Sequence, residues 1–109
     1  MEYHVRLLPS AEADLLELHD WLLENAPLWG PRWFQGLRKT IASLREYPRR
    51  APIAVELSSW CPEVEIRRIL YGKRHHTYKI YFQILDDTIE ILHVRHGARK
   101  PPTLWDVRR

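Results

Sequence analysis

Tyr78-Lys79-Ile80-Tyr81-Phe82-Gln83-Ile84-Leu85-Asp86-Asp87-Thr88-Ile89-Glu90-Ile91-Leu92-His93-Val94-Arg95-His96 is the stretch that decides the fold. Its two arms are rich in β-branched and aromatic residues and follow a period of two, the signature of strands. They predict one strand over 77–85 and another over 88–96. The Asp86-Asp87 pair between them suits a tight hairpin turn. Upstream, Val64 to Leu70 reads as a further strand, and the segment from Tyr71 to His76, which includes Gly72, as the turn that joins it to the hairpin. Residues 48–63 contain Pro48, Pro52 and Pro62, show no period, and read as a loop.

The first half of the chain has a different period. Tyr3, Val5 and Leu7 would share one face of a short strand that Pro9 ends. Ser10 is a good helix cap, and Glu12 and Asp14 then fall in the first turn, where the helix dipole favours acids. Ala11, Leu15, Leu18 and Leu22 recur at helical spacing, predicting a helix from about Ser10 to Asn25 that stops before Ala26-Pro27. A second helix admits Pro31 only in its first turn, buries Phe34, Leu37, Ile41 and Leu44, and ends at Tyr47 before Pro48. The order β-α-α-β-β-β predicts an α+β domain, a helical hairpin packed on a small antiparallel sheet, with the first strand reaching the sheet by crossing the helices.

Composition sets the class. The 109 residues, 45% of them hydrophobic, suit one globular domain, read here as residues 1–99 with a basic, proline-containing tail over 100–109. The apolar runs are far short of the roughly 20 residues that a membrane span needs. The start, Met1-Glu2-Tyr3-His4-Val5-Arg6, lacks the pattern of a secretory signal, and the single Cys61 allows no internal disulfide, so the cytoplasm is the expected compartment. The net charge of +3 is unevenly spread. Residues 1–63 hold 7 basic and 9 acidic side chains, residues 64–109 hold 10 and 5. A cationic second half favours phosphates or an acidic protein as partner, although a solvated basic surface has the same composition.

The densest basic feature is Arg67, Arg68, Lys73, Arg74 and Lys79, with Arg95, Arg99 and Lys100 expected to lie opposite. Arginine forks and lysine point charges are the usual phosphate ligands. His96, at a strand end beside Gly97, could serve as general acid or base in phosphodiester cleavage, with Arg67, Arg68 or Arg99 balancing charge on the phosphorane. A histidine hydrogen-bonded at a strand terminus is the simpler account. Metal binding is not expected. His93 and His96 stand three apart, which on a strand places them on opposite faces, and no CxxC or HExxH accompanies them. Cys61 has no marked base beside it, and the acids Glu12, Asp14, Glu17 and Asp20 read as the solvated face of the first helix. Trp21, Trp29 and Trp33 cluster in the helical hairpin. Core packing is their default role, and any left exposed would suit a protein interface.

In order and spacing these pieces resemble the RelE/ParE superfamily of bacterial toxins. The resemblance runs from about Tyr3 to Arg99. It rests on the opening Tyr3 to Leu15, Leu44-x-x-Tyr47-Pro48, Glu65-Ile66-Arg67-Arg68-Ile69-Leu70, the hairpin quoted above, and Val94-Arg95-His96-Gly97-Ala98-Arg99, an ending like that of ParE-like plasmid stabilization proteins. It implies the toxin of a type II toxin–antitoxin module, without cofactor, blocked by a cognate antitoxin and reaching promoter DNA only through that antitoxin. ParE-like members poison DNA gyrase, whereas RelE-like members cut messenger RNA on the ribosome. Carried over, Arg67, Arg68, His96 and Arg99 would form the catalytic group of a metal-independent endoribonuclease, and Lys73, Arg74, Lys79, Arg95 and Lys100 the target-binding surface. Trp29 and Trp33 would bind the antitoxin. No tyrosine follows the last strand here, which departs from the RelE pattern. The ending favours growth arrest through gyrase. Ribosome-dependent cleavage comes second, and a non-toxic module that only binds its antitoxin and co-represses comes third.

Overall fold

The computed structural model describes residues 2–58 and 64–97. Strand β1 (His4–Leu7) leads into helix α1 (Pro9–Asn25) and helix α2 (Gly30–Ser43). A short helix α3 (Val55–Ser58) precedes strands β2 (Ile66–Tyr71), β3 (Tyr78–Leu85) and β4 (Thr88–His96). The strands lie in the order β1-β4-β3-β2. The β2–β3 and β3–β4 pairings are antiparallel, and β1 joins β4 in parallel. This pairing follows from the connection, since two helices are long enough to carry the chain back along the sheet to a parallel start. The hairpin turns at Asp86, whose φ of 54° lies in the left-handed region that a short acidic side chain tolerates.

The sheet is covered on both faces. Ile80, Phe82, Ile89, Ile91 and Val94 pack with Ala11, Leu15, Leu18, Leu22, Leu37 and Ile41 of the helices. On the other face, Ala54 and Leu57 cover Ile66, Tyr81 and Leu92. Two-sided burial explains why β4 is buried without interruption from Ile89 to Val94. Its alternation breaks at Ile91-Leu92, and there the register breaks too. Phe82 faces Ile91 and Tyr81 faces His93, so Leu92 is an extra residue, a β-bulge that lets both neighbouring apolar side chains be buried on opposite faces.

Three local expectations are corrected. Helix α1 starts at Pro9 with Leu8 as its cap, because proline is suited to the first helical turn, and Ser10 instead donates its hydroxyl to the Leu92 carbonyl at 2.6 Å. Helix α2 ends at Ser43, and the chain turns before Pro48 through Tyr47 at φ 48°. The segment read as a loop contains a 3₁₀ turn at Pro48–Arg50 and helix α3, and it bonds to the edge of β2 through Arg68 N–H to Pro52 O and Ala54 N–H to Ile66 O.

Candidate functional site

The two faces of the sheet separate the residues that the sequence grouped. Pairing across β2–β3 puts Arg68 beside Tyr81 and Leu70 beside Lys79, and β3–β4 puts Lys79 beside Arg95. Side chains alternate along each strand, so these cations share the outer face, away from α1 and α2. Arg68 is not displayed freely there. Its guanidinium forms an ion pair with Glu56 of α3, both side chains mostly buried. The Tyr81 hydroxyl points at the same carboxylate, 3.4 Å from Oε2. Burial, reinforced by the negative charge of Glu56, pushes the Tyr81 phenol up to about 12, and the positive charges of Arg68 and Arg95 only partly oppose this.

Arg67 faces the other way, and its guanidinium donates to Ala51 O at 2.7 Å and Arg49 O at 3.3 Å while pairing with Glu65. It anchors the proline-containing segment to β2. His96 also lies on the helix side of the sheet, edge-on to Tyr78 with ring centroids 5.2 Å apart. Arg67, Arg68 and His96 are therefore not brought to one point. Lys73 and Arg74 sit exposed in the turn between β2 and β3, where Gly72 takes a φ of 97° and a Cβ would come within 2.0 Å of His76 O. Arg99, Lys100 and Cys61 lie outside the described residues.

The tryptophans form a second feature. Trp33 is half-buried and meets Tyr71 and Tyr78 edge-on at 5.0 and 5.3 Å. Trp29 is 44% exposed and contacts Trp33 and His76. With Gly72 and Lys73, these rings line a groove of about 440 Å³. A neighbouring groove of about 390 Å³ runs between α1 and the ends of β3 and β4, past Asp14, Glu17, Trp21, His76, Tyr78 and His96. Among the described residues no group of His, Cys, Asp or Glu has the arrangement of a metal site.

The sequence reading missed two residues. Asp14, read as solvated, is half-buried. Its Oδ2 lies 2.8 Å from His93 Nδ1 and accepts the Val94 N–H at 2.9 Å. The signal was present, since Asp14 stands three residues after Ala11 and four before Leu18, on the flank of the buried stripe. Glu56 had no such signal, because only the fold carries α3 onto the outer face.

The family model for the ParE toxin of type II toxin–antitoxin systems (parDE) matches residues 5–101. The chain belongs to the ParE toxin family. A search of curated proteins found no matching sequence. Among solved structures, this ParE-family chain is similar to one from the chromosomal ParDE toxin–antitoxin system of P. aeruginosa. The TM-score is 0.65 at 16% identity, over 87% of this chain and 96% of that one. It is also similar to a variant of the E. coli toxin RelE in its free state, with a TM-score of 0.56 at 17% identity over 90% and 86% of the two chains. At such identities the likeness concerns the fold. No helix of the described part of this ParE-family toxin is long and apolar enough to cross a membrane.

Proposed function

We propose that this toxin arrests growth as a protein ligand of DNA gyrase rather than as a nuclease, presenting the cationic outer face around Lys79 and Arg95 together with Lys73 and Arg74 of the adjoining turn. One observation carries the reading. Among the described residues, the arginines that would serve a phosphodiester site are engaged within the fold, Arg68 with Glu56 and Arg67 with backbone carbonyls, and His96 stands on the opposite side of the sheet from Arg68. General acid–base catalysis needs its groups within hydrogen-bond reach of one substrate. A protein–protein contact needs only a complementary surface. We further infer that a cognate antitoxin occupies the aromatic groove at Trp29 and Trp33, where large rings are presented at little entropic cost.

The test is an induction experiment with pulse labelling of DNA and protein synthesis, paired with a supercoiling assay of purified gyrase. The expected result is an early fall in DNA synthesis with translation continuing, inhibition of supercoiling by the purified toxin, and full toxicity in His96→Ala. An immediate stop in protein synthesis that His96→Ala abolishes would make the chain a ribosome-dependent nuclease. Unchanged growth with soluble protein would leave antitoxin binding and co-repression as its role.

A further inference from the structure

Arg68, Glu56 and Tyr81 form a closed cluster on the outer face of the sheet. The Arg68 guanidinium engages Glu56 through Nη1 and Oε2, and the Tyr81 hydroxyl lies 3.4 Å from the same oxygen. Among the described residues, Glu56 Oε1 and Arg68 Nε are buried and have no hydrogen-bond partner. The pair is thus only half satisfied. Two charges have been taken from water, and each keeps a buried polar atom that nothing answers, the arrangement in which an ion pair returns least for its desolvation.

The surroundings of the cluster are cationic. Lys79 and Arg95 lie side by side across β3 and β4 on the same face. The charges of Arg68 and Arg95 both act on the Tyr81 hydroxyl, and Glu56 supplies the negative charge set against them. Helix α3 does not depend on Glu56 to stay in place. Ala54 and Leu57 are buried against the sheet, Ala54 N–H donates to Ile66 O at 2.8 Å, and Arg68 N–H donates to Pro52 O at 3.0 Å. The Glu56 side chain already has 19% of its surface in solvent, so it can swing out about its own torsions while α3 remains seated.

We propose that Glu56 fills, from within the chain, a carboxylate site built by Arg68 and Tyr81, and that an acidic side chain of the toxin's protein partner takes its place. The proposal rests on the reading that this face receives a protein. The guest is a carboxylate because the internal occupant is one, and because an arginine fork and a phenol hydroxyl match its two planar oxygens. Glu56 is tethered to α3 and engages the guanidinium through one nitrogen, whereas an untethered carboxylate can take the two-nitrogen fork that arginine prefers. The exchange adds Arg68 and the Tyr81 hydroxyl to the contact surface. It brings neither of them to His96, which stays across the sheet.

Calorimetric titration of a short oligoglutamate peptide into the purified full chain at low salt tests this. Glu56→Gln keeps the shape of the side chain without its charge, and Glu56→Ala empties the position. Each should bind the peptide about tenfold more tightly than the parent, the worth of one charge-assisted hydrogen bond. Adding Arg68→Gln should cancel the gain, and adding Tyr81→Phe should reduce it. Asp20→Asn, an equal change in net charge on α1, should not produce it. The proposal is overturned if neither Glu56 variant gains, if Asp20→Asn gains equally, or if Arg68→Gln leaves the gain intact. It is also overturned if a single-stranded oligothymidylate gains as much as the peptide, since the guest would then be a phosphate. No gyrase enters the titration, so a failure there strikes the site, whereas the expected gain beside unchanged supercoiling strikes only the choice of gyrase as target.

Discussion

Tyr81 shows how one side chain reports its surroundings. It is buried against Leu57 and Leu92, and its hydroxyl meets a carboxylate instead of water. Its phenol stays protonated to about 12, above the ordinary 10. A group whose folded pKa is raised contributes stability that is fully present below the unfolded value and is lost as pH rises through the folded one. Stability should therefore fall between about pH 10 and about pH 12, by on the order of 2–3 kcal/mol attributable to this residue. Urea unfolding of the parent and Tyr81→Phe across that range measures it. The parent should lose more than the variant, and parallel losses would mean that other groups cause the alkaline decline.

At the scale of elements, β4 poses a problem that α1 solves. Strand β1 is short and pairs with β4 only from Thr88 to Ile91, leaving the edge beyond the bulge without a strand among the described residues. An open edge invites pairing with other chains. Helix α1 closes it with side chains, Ser10 on Leu92 O and Asp14 on Val94 N–H and His93. Asp14→Ala removes the acceptor of two buried donors and should cost about 2–3 kcal/mol in urea unfolding. Asp14→Asn should cost less, since an amide can still accept from Val94, and the exposed Asp20→Ala should change little. Equal effects of Asp14→Ala and Asp20→Ala would remove the closing role. The α2–β2 contact is similarly specific. A Cβ at Gly36 would lie 2.0 Å from the Tyr71 hydroxyl, which donates to Trp33 O at 2.7 Å. Alanine gains about 1 kcal/mol of helix propensity there. Displacing a ring packed edge-on against Trp33 should outweigh that and leave Gly36→Ala less stable by about 1–2 kcal/mol. The loss should shrink in the Tyr71→Phe background, and thermal unfolding of the four variants tests this.

For the whole molecule, the sequence by itself determined the two long helices and the four strands, their order, and the hairpin at Asp86-Asp87. Hydrophobic period is a local property, and the period changes twice, from strand to helix near Pro9 and back to strand after the helical hairpin. The family was legible in the same way, as short motifs at fixed spacing. Other features depended on which surfaces meet, and only the tertiary structure decided them. Helix α3 covers the outer face of the sheet, so Arg68, exposed by its sequence context, became the partner of Glu56. Asp14, one acid among five on its helix, was singled out because it faces the edge of β4 beyond its pairing with β1. His96 and Arg68, both in basic strand segments, were separated because strands have two faces and a bulge resets their alternation. Charge and spacing run along a chain, but the engagement of a side chain is settled by residues distant in sequence, here 79 positions away for Asp14 and His93.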